Sequence, residues 1–317
     1  MAWQPAASIG LIRARAALLG ELRRFFAARK ILEVETPLLC SSGVTDPAIE
    51  PMWVDAAVSL PRARFLQSSP EYAMKRLLAA HGEPIFQIAK AFRDGEAGAR
   101  HNPEFTLLEW YRPGFNHHQM MSEVAELVGH SLGERALCKF SYRQLFLDML
   151  ALDPFTASVA ELEAVARSHL DPGSLRGDRD MWLDLLLSHL IEPQLVGLGM
   201  CFVYDYPASQ AALSRLAPAG DVMVGQRFEL YVDGMELANG YFELLDPQEQ
   251  RRRFALDNER RRKSGQSEQP VDELLLAAME HGLPACSGVA LGVDRLLMLL
   301  TGSADIRELL AFDWERA

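Results

Sequence analysis

Cysteine is scarce in this chain, and the four present, Cys40, Cys138, Cys201 and Cys286, never fall as a C-x-x-C pair. That spacing suggests neither a zinc ribbon nor a disulfide-stapled scaffold, so the thiols read as small, reduced residues of a cytoplasmic protein. Basic charge is also short: 32 Lys and Arg stand against 43 Asp and Glu, a formal net charge of -11. A surface that grips nucleic-acid phosphates broadly needs the opposite balance. No apolar stretch approaches the roughly 20 residues needed to span a bilayer, and no apolar run behind a basic leader marks export. What remains is ordinary for a soluble enzyme with a large core: 317 residues, 49% hydrophobic and 24% charged.

Two stretches carry most of the information, Pro84 to Pro113 (PIFQIAKAFRDGEAGARHNPEFTLLEWYRP) and Cys286 to Leu300 (CSGVALGVDRLLMLL). The first alternates up to Arg93, passes through a Gly-rich polar loop and alternates again from Glu104, which predicts a long-looped hairpin. Period-2 geometry puts Phe105, Leu107, Glu109 and Tyr111 on one face and Thr106, Leu108 and Trp110 on the other. On the incoming strand Arg93, Ala91, Ala89 and Gln87 share a face, while Phe92, Ile88 and Phe86 turn toward a helical layer. The second stretch reads as a Gly-bounded strand leading to Arg295. Two arginines from separate sheet elements can hold a polyphosphate from both ends, because guanidinium binds phosphate bidentately and stays charged.

The segment Arg227 to Asp246 (RFELYVDGMELANGYFELLD) predicts a second hairpin turning at Asp233-Gly234. Glu236 and Glu243 are seven apart, on opposite faces of a regular strand, so a shared ligand requires a bend, for which Asn239-Gly240 is the expected place. Two carboxylates tolerate a triphosphate only through a divalent cation such as Mg²⁺. Around these stretches the helical spacing predicts helices over Leu11 to Arg29, Tyr72 to Ala80, Met120 to Leu132, Val159 to Leu170 and Val271 to Met279, with another running through Leu190. Short strands are expected between Pro51 and Gln67. His117 and His118 read as solvated residues of a polar turn. The run RRRFALDNERRRK reads first as a solvated helix face and second as a docking stripe for an acidic protein.

F-R-D-G-E followed by H-N-P-E-F, G-V-D-R near the C-terminus, and a long helix with Pro37 in RKILEVETPLL resemble the three signatures of class II aminoacyl-tRNA synthetases, lysine branch. S-S-P-E-Y-A-M-K-R-L strengthens the likeness, which covers essentially the whole chain. The resemblance implies an α+β fold, an antiparallel sheet flanked by helices in one catalytic domain over 1–317. A dimerisation helix at about 10–30 makes a homodimer, and a helical insertion lies at about 116–195. No anticodon-binding domain is expected, so the chain is most similar to stand-alone members of the branch, which activate β-lysine with ATP and pass it to a lysine of elongation factor P instead of to tRNA.

The same resemblance assigns roles. Arg93 meets the α-phosphate, Phe105 the adenine and Arg295 the far side of a bent ATP, with Asp94, Gly95, Glu96 and Asn102 in the same loop and Gly292 allowing close backbone approach. Glu236 and Leu237 serve ATP and its Mg²⁺, and Glu243 is shared between metal and substrate amine. Ser69, Pro70, Glu71, Glu109 and Tyr111 form the amino-acid pocket, Glu71 holding an ammonium. The chain departs from the family twice. Gly95 stands where a Glu is common, with Glu96 one place later, and Ala290 replaces a Gly of lysyl-tRNA synthetases, as in the stand-alone ligases.

Overall fold

The computed structural model describes residues 3–55 and 63–317. In chain order the first elements are α1 (Ile9–Ala28), β1 (Leu32–Glu33), β2 (Leu39–Cys40), β3 (Trp53–Val54), β4 (Arg64–Leu66), α2 (Glu71–His81), β5 (Ile85–Phe92) and β6 (Glu104–Pro113). There follow α3 (His117–Leu132), β7 (Leu137–Ser141), α4 (Tyr142–Leu150), α5 (Val159–His169), α6 (Arg179–Leu186), β8 (Met200–Pro207), β9 (Leu216–Ala219), β10 (Val222–Val232) and β11 (Met235–Phe242). The last are α7 (Pro247–Lys263), α8 (Glu273–Gly282), β12 (Cys286–Gly292) and α9 (Val293–Thr301). Of the strands expected between Pro51 and Gln67, β3 and β4 are present, and the part at 56–62 lies outside the described residues. Among the described residues no helix is long and apolar enough to cross a membrane.

The chain forms two compact units, Met1–Phe115 with Leu245–Ala317, and Asn116–Leu244. In the first, the strands run β1-β5-β6-β12, antiparallel except for the β1–β5 pair. The alternation read from the sequence decides its two faces. Phe86 and Trp110 point to α1, where Phe26 stacks on Phe86 with centroids 4.4 Å apart and meets Trp110 edge-on at 5.3 Å. The opposite face receives α2, whose Met74 and Leu78, one turn apart, pack with Ile85, Tyr111 and Cys286. Only the second half of α1 is committed to this core. Leu18, Leu22, Phe25 and Phe26 are buried, whereas Ile9 and Ile12 are exposed.

The second unit carries β11-β10-β8-β7 with β9 also on β10, antiparallel except for β7–β8. The hairpin at Asp233-Gly234 forms as expected: both residues have positive φ, 49° and 70°, the conformation that matches strand twist in a two-residue turn. β7 lies inside the stretch expected to be helical; its five residues are too short a run to register as alternation. α3 begins earlier than its apolar spacing suggests, because Asn116 and Gln119 form a reciprocal capping box. That start turns His117 inward, 3% exposed and 3.4 Å from Asp205, which corrects the solvated reading. Asn116→Ala is expected to cost about 1 kcal/mol, read as a lower urea midpoint at unchanged m-value.

The basic run becomes α7, and it is not an open stripe. Arg251 pairs with Glu273, Arg252 and Arg253 with Glu249, Arg262 with Glu268 and Lys263 with Glu259. Arg261 is fully buried and donates to the carbonyls of Asp46, Ile49 and Ser267 and to Glu50. Its role is to tie the 46–50 loop to the helix, which the docking interpretation did not foresee.

Candidate active site

At the centre of the first unit's sheet, Gln87, Glu109 and Ala290 lie directly across from one another on β5, β6 and β12. Along the same face stand Ala89 and Ala91 of β5 and Gly288 and Gly292 of β12, small residues that flank Phe105, Leu107 and Tyr111 of β6. Glu109 itself is 2% exposed. Ser69 Oγ donates to its Oε2 (2.7 Å) and Tyr111 Oη to its Oε1 (2.6 Å). Both bonds favour the ionised carboxylate, yet burial and the nearby Glu71 charge outweigh them and push Glu109 up to about 8.

The same helix that covers this face brings a second charge pair. Pro70 stands at the N-cap of α2 and Glu71 in its first turn, where a carboxylate suits the helix dipole. One turn on, Lys75 is 3% exposed and donates to Glu71 Oε1 at 2.6 Å. Ser69 Oγ also accepts from the Glu71 backbone N–H (3.1 Å), so the Ser69-Pro70-Glu71 turn is locked onto Glu109. A cavity of about 250 Å³ opens beside it, lined by Ser69, Pro70, Glu71, Gly43 and Asp272 among others. At roughly 30 Å³ per water it holds a small amino-acid-sized molecule. Sequence reasoning missed Lys75 and Gly43. The i,i+4 spacing of Glu71 and Lys75 was a usable signal for the first. Gly43 is dictated by packing, since a Cβ there would lie 2.8 Å from the Gln269 side chain and 3.1 Å from Phe65 and Pro51.

The β5–β6 loop gathers the guanidinium groups. Arg93 leaves the end of β5 with its N–H bonded to the Pro103 carbonyl, its side chain 5.0 Å from the Phe105 ring centroid and 3.6 Å from Glu96. Its Nε is buried without a hydrogen-bond partner. Arg295, from the first turn of α9, donates Nη2–H to His101 Nε2 at 2.7 Å. Guanidinium has no acceptor, so His101 takes the bond as a neutral ring protonated on Nδ1. Burial, then Arg295 and further off Arg93 and Arg100, hold His101 below the usual imidazole range. Both predicted arginines therefore bear on one neutral histidine, which the sequence reading had not named.

Other predicted positions in this unit do structural work visible in the bonding. Asp94 pairs with Glu50 in an isolated bridge and accepts from the Gly95 N–H (2.9 Å), while Gly95 takes φ 75° at the tip of the loop. Asn102 is 6% exposed, donates to the Glu104 carbonyl (2.6 Å) and accepts from the Trp314 N–H (3.1 Å), anchoring the C-terminal segment. Gly292 precedes α9, and a Cβ there would meet only the Arg295 side chain at ordinary contact distance. Asp294 accepts from the Thr106 N–H (2.7 Å) and pairs with Arg15, aligning α9 against β6.

In the second unit the expected bend between Glu236 and Glu243 is a β-bulge at Leu237, not a break at Asn239-Gly240. Leu230 faces Ala238 but Tyr231 faces Glu236, which leaves Leu237 as the extra residue. The bulge shifts Glu236 onto the face of Asn239 and Tyr241, opposite Glu229 and Arg227. Glu243, two residues past Tyr241 and bridged to Ser214, continues that alternation and is 1% exposed. The face is organised by Glu229, another residue the sequence reading passed over. It accepts from Tyr206 and Tyr231 (2.6 Å each) and Asn239 (3.2 Å), and pairs with Arg227. Among the described residues no group of three or more His, Cys, Asp or Glu is close enough to hold a metal without other ligands.

The large, mostly antiparallel sheet flanked by helices is that of a class II aminoacyl-tRNA synthetase-type domain. Residues 6–316 match the family model for class II tRNA synthetases (D, K and N), and the chain belongs to that family. It is 46% identical over 320 residues to the elongation factor P--(R)-beta-lysine ligase of Pseudoalteromonas translucida, covering 99% of this chain and 98% of that relative. Proteins of the same name from Vibrio vulnificus and Pasteurella multocida are 48% identical over 315 residues and 45% over 318, covering 97% and 98% of those relatives and 98% and 99% of this chain.

Proposed function

We propose that this chain is an ATP-dependent, AMP-forming ligase that activates β-lysine, or lysine, and passes it to a lysine side chain of elongation factor P. The observation that carries the reading is the buried carboxylate Glu109, held by Ser69 and Tyr111 and set beside the Glu71–Lys75 pair. The cavity beside this group, lined by Ser69 and Glu71, rewards a primary ammonium, because a desolvated ammonium is costly unless paired. The near full-length likeness to named ligases supports the substrate class.

In the first step the substrate carboxylate attacks the α-phosphorus of ATP and pyrophosphate leaves; Arg93 neutralises the developing charge and Arg295 holds the remaining phosphates. The unpartnered Arg93 Nε and its spacing from Phe105 suit a phosphate with adenine against the ring. Glu236 and Glu243, on one face of β11 and its extension, would be the carboxylates that hold a Mg²⁺ ion, which is typically bound by one or two carboxylates together with phosphate. When bound, the ion would offset phosphate charge. In the second step the acceptor amine attacks the activated carbonyl, AMP leaves, and the amine's proton is lost. Ala290, register partner of Glu109 on β12, adds a methyl beside that carboxylate and suits an amine displaced by one carbon. The same reading takes the chain as a cytoplasmic homodimer, with exposed Ile9, Ile12 and Leu32 meeting a second copy.

Amino-acid-dependent ATP–pyrophosphate exchange, followed by incubation with elongation factor P or with tRNA, tests this reading. Exchange is expected with β-lysine above lysine and label is expected on the protein acceptor. Label on tRNA alone would replace the proposal with a tRNA-charging enzyme, and no exchange with any amino acid would leave a non-catalytic member of the family.

A further inference from the structure

Cys138 and Cys201 are far apart in sequence, yet they are register partners on the neighbouring parallel strands β7 and β8. Strands so paired lie about 4.8 Å apart, inside the Cα separation of about 4.4–6.8 Å that a disulfide spans. Directly paired residues on parallel strands point to the same side, and both thiols pack on the same hydrophobic cluster of the second unit. Cys138 Sγ donates to the Leu198 carbonyl at 3.9 Å, and Cys138 is close enough to raise the titration of the Cys201 thiol. Cys201 is fully buried and Cys138 only partly so, which leaves one sulphur open to attack and the other waiting behind it.

We infer that Cys138 and Cys201 form a reversible disulfide, a redox modification site that staples the edge strand β7 to β8. The oxidant is a small-molecule disulfide. The Cys138 thiolate attacks one sulphur of that disulfide, forming a mixed disulfide and releasing one small thiol, which carries the proton. The Cys201 thiol then loses its proton and attacks the Cys138 sulphur, closing the protein bond and expelling the second small thiol. Two protein thiols are oxidised and one small disulfide is reduced to two thiols. In the reduced chain burial and the adjacent Cys138 push the Cys201 thiol up to about 12; the burial persists once Cys138 is in the mixed disulfide, so the closing step is slow at neutral pH and speeds as pH rises.

The test incubates the full chain with oxidised glutathione, quenches by alkylation, digests without reduction and maps the peptides by mass spectrometry. A linked pair joining Cys138 to Cys201 is expected, with an intact mass about 2 Da below that of the reduced chain. Reductant should reverse it, and C138A and C201A should abolish it. Closure should quicken roughly tenfold per pH unit between 7 and 9. Recovery of Cys138 as a lasting glutathione adduct with Cys201 still open to alkylation would overturn the inference, as would links made through Cys40 or Cys286. Should C201A fail to fold, C138A alone decides, because its partly exposed position tolerates the smaller side chain.

Discussion

Arg93→Ala is expected to lower the rate of ATP–pyrophosphate exchange by about 10²–10³-fold, the usual effect of deleting one preorganised donor to a transition-state charge. The side chain contributes little to folding: its neighbours are Glu96 at 3.6 Å and the Phe105 ring, and its Nε has no partner in the protein. Thermal unfolding should therefore stay within a few degrees of the unmodified chain while exchange collapses. Arg93→Lys keeps the charge but not the planar fork, and is expected to recover only a minor part of the rate. Equal losses of exchange and thermal stability would assign Arg93 a structural role instead. The measurement also separates binding from chemistry, since a role confined to the transition state lowers kcat more than it raises the KM for ATP.

The second large effect is on pH. Glu109 titrates at about 8, so in the free protein at pH 6–7 it is mostly protonated. Only the ionised form pairs favourably with a substrate ammonium. As pH rises toward 8 the pocket gains its charge, and kcat/KM for the amino acid is expected to increase roughly tenfold per pH unit between 6 and 8, then level off. The substrate amine, with a side-chain value of about 10.4, remains charged across that window. The charges facing Glu109 are Glu71 and Lys75 of α2, the first raising its titration point and the second lowering it. Glu109→Gln should flatten the profile and bind the amino acid weakly at every pH. A profile in the wild-type chain that is flat from 6 to 8 would mean that Glu109 carries no substrate charge. An ordinary surface carboxylate ionises in the same direction but has finished well below pH 6, so a slope between pH 6 and 8 is diagnostic of the raised group.

Period-2 alternation was sufficient to place the residues of β5 and β6 on their correct faces, because side-chain direction in a strand is a local property. The Asp233-Gly234 turn was legible for the same reason: both positions adopt positive φ, which short-range sterics reserve for few residues. Signature residues flanking those strands could be named from the chain alone, and the structure brings Ser69, Glu71, Glu109 and Tyr111 into one bonded group. Other features had no local cause. Leu237 bulges because β10 offers one residue fewer opposite it, a mismatch that exists only once the strands pair. His117 and Arg261 are buried by helices whose docking no spacing rule states.

Glu109 looks, in sequence, like any other glutamate on an alternating strand. Its proton affinity is set by α2 lying over it, by two hydroxyl donors and by the charge of Glu71, all delivered by packing. Cys138 and Cys201 likewise become a pair only when two strands meet in register. Hydrophobic period and turn chemistry act over a few residues and can be read along the chain. Burial, local dielectric and the company a charged group keeps depend on segments distant in sequence, and here they alone set the proton affinity of Glu109 and bring Cys138 beside Cys201.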